Sequence, residues 1–392
     1  MIPDRLRAAA RQRQVQRTIA NLVALLILGL VVQVKTGDFF TARNLESLCV
    51  QIVVVAIIAA AETLVMVAGA IDVSVSGIAV LTGIVAGLLA KGMPLAPAFA
   101  LATVVGLVAG YLNAVMVVRI GITSLIATIG MLYVSQGAAN LLTNGIPIAG
   151  LPISFSTVGD GFAFGGVPWA LPMIILVGGA LAAVQRWTVL GRHAVAAGSN
   201  PRAAFLAGVN VNRTITLCFC ISGAAAGWGG VVYASRIGAP VPVVDNDLLF
   251  QVIVACVVGG TSLTGGEGSV IGSLIGAVLV GALNNGLDLL GVSTYWQDVA
   301  LGLLLVLAVG LDVGLRRDSV FTLKRHIATH LRGRQAPSEI PADLPPARHV
   351  ASADNGTAVG TPVGSQPQPA VHPASRTGSD QAGARQNGSE QA

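Results

Sequence analysis

Ten apolar segments follow one another between residues 19 and 313, most of them separated by short polar connections. They cover residues 19–34, 45–67, 77–90, 98–118, 123–142, 169–184, 215–235, 248–259, 270–290 and 296–313. A bilayer core is crossed by about 20 apolar residues in helical form, and a backbone inside it must satisfy its own hydrogen bonds. The chain therefore reads as an all-α integral membrane protein with about ten transmembrane helices. Composition agrees: 54% of residues are hydrophobic and 10% charged, where soluble domains carry about 25% charged residues. Segments 77–90 and 248–259 are short for a span and have Gly-rich ends. Short or interrupted helices at corresponding places in two halves of a chain point to a solute path.

Basic residues orient the helices. With the N-terminus inside, 19 of the 23 Lys and Arg residues fall on the cytoplasmic side, and only Lys35, Arg43, Lys91 and Arg236 fall outside. This bias places both termini in the cytoplasm. It divides the chain into a basic N-terminus (1–18), a transmembrane domain (19–315), a basic segment (316–334) and a tail (335–392). The first helix reads as retained, because no small-x-small cleavage site follows it and further spans do. The domain carries a cytoplasmic connection at 186–213 and an outer loop at 143–167. That Gly- and Pro-rich loop reads either as an ordered cap on the bundle or as a surface for an external partner. In 316–334, Val320, Leu323, Ile327 and Leu331 share a helix face that suits the lipid surface. The tail, rich in Pro, Gly, Ser and Gln, is expected to be disordered. The net charge of +5, so distributed, does not imply nucleic acid.

Little here supports enzyme chemistry, and no cofactor or metal is expected. The Gly-rich run 259–269 lacks the lysine of a phosphate-binding loop and reads as a flexible inner turn. His193 is the one histidine before the tail region, so no Ser/His/Asp set forms; His326 and His330 lack the glutamate of a zinc-protease motif. Cys49, Cys218, Cys220 and Cys256 lie in or beside apolar segments and read as packing residues. The pairs Gly83/Gly87, Gly106/Gly110, Gly223/Gly227 and Gly272/Gly276 are spaced for close helix packing. The sequence around Gly110–Asn113 resembles that around Gly281–Asn284, and in this topology the two run in opposite directions. An inverted repeat would give this match, and so would chance in helices this rich in Gly, Ala and Leu.

Polar groups inside the apolar segments carry more information. Glu62 lies within the second segment, and a charge at a helix centre costs about 2.5–3.5 kcal/mol on insertion scales. Asp72 and Ser74 follow near a helix break, and Asn113, Asn284 and Asn285 lie in or beside other spans. These residues are candidates for a translocation path. The competing reading is hydrogen bonding between helices, worth about 0.6 kcal/mol on average. The central run, 188–213, is polar and basic. Gly198-Ser199-Asn200-Pro201 reads as a turn, followed by a short helix with Asn200 as N-cap, Pro201 at its first position and Gly208 as its stop.

Four stretches together resemble the membrane permease of the ribose/xylose/galactose class of bacterial ABC importers. They are AIDVSVSG (70–77), LGRHAVAAGSNPRAAFLAGVNV (190–211), VVGGTSLTGGEGSVIGSLIGA (257–277) and LNNGLDLLGVSTYWQ (283–297). The similarity runs over about 39–312. It implies a multi-pass inner-membrane permease for a pentose or hexose that performs no chemistry itself. It also implies a partner ABC ATPase, an extracytoplasmic sugar-binding protein, and a second permease copy or homologous permease. Carried onto this chain, the resemblance makes Gly191, Arg192, Gly198, Asn200, Ala203, Ala204 and Gly208 the segment that couples to the ATPase. It makes the outer loop a docking surface for the binding protein. Two features depart from the family: Ala70 and Ser76 stand where glycines are usual, and Glu62 stands where an uncharged residue is expected. The alternatives are an ion-coupled secondary transporter using Glu62 or Asp72, or an ABC permease for nucleosides or branched-chain amino acids.

Overall fold

Each of the ten apolar segments falls on a helix. The computed structural model describes residues 4–163, 166–244 and 246–310. The basic segment 316–334 and the tail 335–392 lie outside them. The helices are α1 (Asp4–Thr36), α2 (Ala42–Val67), α3 (Val75–Ala90), α4 (Leu95–Ile120), α5 (Ser124–Thr143) and α6 (Ala170–Trp187). The central run supplies α7 (Val189–Ser199) and α8 (Pro201–Leu206). Then come α9 (Val211–Ile237), α10 (Asn246–Val258), α11 (Val270–Leu289) and α12 (Thr294–Gly310). Among the described residues, seven helices are long and apolar enough to cross a membrane, and α3, α10 and α12 are shorter apolar helices.

Polar caps set several of these boundaries. The side chains of Thr41, Asn210 and Ser269 accept from Asn44, Arg213 and Gly272 N–H at 3.3, 2.9 and 3.3 Å. Each satisfies a donor that the first helical turn leaves unpaired. Burial then ranks the helices. In α2, 83% of the most apolar window is buried, against 11% in α1 and α6, so α2 is the central post and those two form the rim.

Small residues bring the neighbours close. A Cβ on Gly106 would sit 2.7 Å from Gly227 Cα, and one on Gly110 would sit 3.0 Å from Gly223 Cα. These contacts join α4 to an antiparallel α9. Gly83 faces Gly230 of α9, and Gly272 and Gly276 face Gly259 and Ala255. Seven of the eight paired glycines lie in helix contacts, as their spacing predicts; Gly87 meets the loop residues Pro240 and Ile148 instead.

The turns sort into two ends, named inner and outer after the topology expected from the basic residues. At the inner end, Gly198 packs on Gly69, Val67 and Gly266. At the outer end, Asn44 at the start of α2 meets Asn285 near the end of α11. The outer loop folds over this end: Ser235 Oγ donates to Phe155 O at 2.5 Å and accepts from Gly159 N–H at 2.8 Å. The loop is thus an ordered cap. Asn113 and Asn284 lie on antiparallel helices, the first toward the inner end and the second toward the outer.

Two local expectations differ from the structure. Gly198 lies in the last turn of α7, and the chain breaks two residues later, at Asn200. The buried positions Gly191, Ala194 and Ala197 recur at helical spacing and hold that stretch helical. The Gly-rich run 259–269 is closed by its own bonds, Thr261 N–H to Cys256 O at 2.9 Å and Ser262 N–H to Glu267 O at 2.9 Å. Its glycines serve sharp, tightly packed turns rather than flexibility; Gly260, Gly265 and Gly266 all have positive φ.

Candidate functional site

The break between α2 and α3 gathers four of the predicted path residues. Helix α2 stops at Val67, and Gly69, at φ +86°, lets the chain reverse. The chain then climbs back beside α2. This leaves a run of peptide N–H groups with no helical partner inside an apolar bundle, where an unpaired donor is costly. Each receives a side-chain acceptor. Ile71 N–H donates to Ser124 Oγ at 3.3 Å and Asp72 N–H to Glu62 Oε1 at 2.9 Å. Val73 N–H donates to Thr128 Oγ1 at 3.2 Å and Ser74 N–H to Asp72 Oδ1 at 3.0 Å.

The side chains close the cluster. Ser74 Oγ donates to Asp72 Oδ1 at 2.5 Å, and Asn113 Nδ2 donates to Ser74 Oγ at 2.7 Å. Ser222 Oγ on α9 lies 3.2 Å from Asp72 Oδ2 and 3.4 Å from Glu62 Oε2, so one hydroxyl bridges both carboxyls. Glu62, Ser74, Asn113 and Ser222 are completely buried and Asp72 nearly so. Sequence reading did not single out Ser124, Thr128 or Ser222. The first two lie four apart in an apolar segment, which puts both on one face of α5; that spacing was the available signal.

The other side of α2 carries a seam of small polar groups. Thr63 Oγ1 donates to Ser273 Oγ at 2.7 Å, Thr261 Oγ1 lies 3.1 Å from the same oxygen, and Cys256 Sγ donates to Ala59 O at 3.3 Å. Asn284 and Asn285 stay apart from both groups. Asn285 exchanges two hydrogen bonds with Asn44, at 2.9 and 3.0 Å. Asn284 lines a cavity of ≈ 290 Å³ at the outer end. Of the residues that depart from the family pattern, Glu62 belongs to the cluster at the break, Ala70 N–H bonds Val65 O at 3.1 Å, and Ser76 is buried with its Oγ unpartnered.

The residues expected to couple divide into inner and outer members. Gly191 packs on the backbone of Gln185, and Gly198 on Val67 O and Gly266 N. A hydrogen bond of 2.9 Å from Gly266 N–H to Val67 O ties the inner turn to the end of α2. Gln185 holds the same turn, donating to Gly268 O at 3.1 Å and accepting from Val270 N–H at 2.8 Å. Ala204 is buried, whereas Arg192, Asn200, Ala203 and Gly208 are exposed. Asn200 caps α8 through Ala203 N–H at 3.0 Å, and Gly208, at φ +84°, ends it. Beside them stand Phe205 and Leu206, 71% and 86% exposed, which the sequence reading had not marked.

A sequence profile of the family described as "Branched-chain amino acid transport system / permease component" matches residues 44–309. The chain belongs to this permease family. Among its relatives is the ribose import permease protein RbsC of Escherichia coli (strain K12), 34% identical over 300 residues, covering 74% of this chain and 92% of the relative. The fructose import permease protein FrcC of Rhizobium meliloti is 33% identical over 293 residues, with coverage of 72% and 81%. The L-arabinose ABC transporter permease protein AraH of Azospirillum brasilense is 32% identical over 315 residues, with coverage of 79% and 93%. No solved structure matches. The matched span takes in the helix break, the seam, α7 and α8, so these are parts of the permease itself. Family membership and the apolar helices place the chain in the membrane, and the ion-coupled reading falls with it.

Proposed function

We propose that this chain is the membrane-spanning permease of a bacterial ABC importer for a sugar, with ATP hydrolysis on a partner subunit and delivery by an extracytoplasmic binding protein. The observation that carries the reading is the run of sugar-import relatives, 32–34% identical and matched over 81–93% of their length. In this reading α7 and α8 receive the ATPase. Phe205 and Leu206 give α8 an apolar tip, and Arg192 and Arg202 lie exposed near it. Exposed apolar side chains ringed by charge suit a docking site. Gly191 and Gly198 serve from behind, seating the segment on α6, α2 and the inner turn, and Ala204 is the buried face of α8. Glu62, Asp72, Ser74 and Asn113 hold the helix break. The outer cap receives the binding protein, and a second permease, a copy or a homologue, completes the pathway.

The test is uptake of labelled ribose, fructose and arabinose by vesicles holding the chain with its ATPase and binding protein. Uptake of at least one sugar is expected, dependent on ATP and on the binding protein. Transport that survives ATP depletion and collapses with an ion gradient refutes the reading. Ala204→Glu, which buries a charge under α8, is expected to abolish uptake.

A further inference from the structure

Three amides on three helices point to a ligand site that the sequence did not show. Gln51 of α2, Gln251 of α10 and Asn284 of α11 line the outer cavity of ≈ 290 Å³. All three are partly buried, and none of their side chains makes a hydrogen bond among the described residues. Several other amides in this bundle are partnered. Asn44 and Asn285 bond each other, Asn21 donates to Val258 O at 2.8 Å, and Gln185 bonds both neighbours of Ser269. Lining an accessible cavity, the three amides keep donors and acceptors available to water or to a solute.

The chemistry of the set defines that partner. Each amide offers two donors and an acceptor. The charged residues on the wall, Arg236 and Asp288, are of opposite sign, so the cavity does not select an ion of one sign. At its outer end Asp288 Oδ1 accepts from Gln297 Nε2 at 2.7 Å. Below the amides the wall turns apolar at Val54, Val55 and Ala277. The volume stands at the lower end of small-molecule pockets, which start near about 300 Å³.

We propose that this cavity receives the solute after its release outside and holds it before crossing, and that the solute is a small, neutral, polyhydroxylated molecule bound through Gln51, Gln251 and Asn284. This rests on the sugar-import reading and adds to it the place and the side chains. The seam of Thr63, Ser273 and Thr261 lies further inward between α2 and α11, beyond the apolar floor.

The test uses the complete importer of permease, ATPase and binding protein in vesicles, with labelled ribose, fructose and arabinose as probes. Gln251→Leu and Asn284→Leu are each expected to slow uptake by about 3–10-fold, the cost of one lost hydrogen bond. Gln251→Asn, which keeps both functions of the amide, is expected to retain more uptake than Gln251→Leu. A second measurement does not depend on transport. Asn284→Cys should react from outside with a membrane-impermeant maleimide above the labelling of the unmodified chain, whereas Asn285→Cys, which faces Asn44, should not. Full uptake in both leucine variants, or no labelling at 284, overturns the cavity assignment while leaving sugar import standing. An unmodified importer that moves none of the three sugars overturns both readings together.

Discussion

Replacing Gly198 with alanine tests whether the coupling segment is seated on α2. An added Cβ would lie 2.6 Å from Gly266 N and closer still to Val67 O. Real Cβ atoms essentially never approach heavy atoms within 3.0 Å, and both obstacles here are backbone. Those two atoms are also the ends of the 2.9 Å bond that ties the inner turn to α2. The methyl must therefore part them or push α7 away. Losing the bond costs about 0.5–1.5 kcal/mol, and overpacking adds about 1–3 kcal/mol. The sum is about 2–4 kcal/mol, concentrated at one joint. Thermal unfolding of the purified permease in detergent should show a midpoint lowered by about 3–10 °C. Uptake with the ATPase present should fall by much more than the binding of ATPase to the membrane does. Gly208→Ala is the comparison: Gly208 has positive φ but nothing within 4 Å of an added Cβ, so it tests strain without collision. A Gly198→Ala protein with an unchanged midpoint and full uptake would refute the argument.

Three further predictions use the same reasoning. Glu62→Ala removes the acceptor of Asp72 N–H and should destabilise by about 1–3 kcal/mol, the cost of an orphaned buried donor; Glu62→Gln, which keeps an acceptor oxygen, should be milder, and equal losses in detergent melts would count against the role given to this oxygen. Asn44→Leu and Asn285→Leu should each cost about 1–3 kcal/mol, and because they share two hydrogen bonds the double variant should cost less than their sum in a double-mutant cycle. Gly223→Val drives a branched side chain into Gly110 and Gly106 of α4 and should prevent folded permease from accumulating in membranes, seen as loss of a monodisperse peak on size-exclusion chromatography.

The helices were legible because a bilayer leaves a chain so few choices: ten apolar segments gave ten helices, including both short ones. The cap at Asn200 and the stop at Gly208 were legible too, since each depends on one residue's local chemistry. The partners of the helix break were not. Asp72 meets Glu62 ten residues away, Asn113 forty-one away and Ser222 one hundred and fifty away. No local pattern brings α4, α5 and α9 to one point. The same limit explains why Asn284 and Asn285, adjacent in sequence, serve different ends. Successive residues on a helix point about 100° apart, so one faces Asn44 and its neighbour faces the cavity. Gln51 and Gln251 look like ordinary polar residues near span ends until the fold sets them beside Asn284.

The two sides of α2 differ in how easily they can move. On the side of the break, four consecutive peptide N–H groups, from Ile71 to Ser74, are each held by an acceptor. Sliding α2 against that side would take Glu62 away from Ser222 and strand Asp72 N–H, the one of the four whose acceptor lies on α2, at about 1–3 kcal/mol. On the other side the contacts are Thr63, Cys256, Thr261 and Ser273, hydroxyls and a thiol that can exchange partners by rotation. If the coupling segment pushes on Val67 through Gly198, as proposed, the seam is the side that can yield by exchanging partners. In the proposed cycle, α2 and the break travel together, and α10 and α11 part from them beneath the outer cavity. A cysteine pair locking α2 to α11 across the seam, such as Thr63→Cys with Ser273→Cys, should block uptake when oxidised and restore it when reduced. Uptake that ignores the crosslink would place the movement elsewhere.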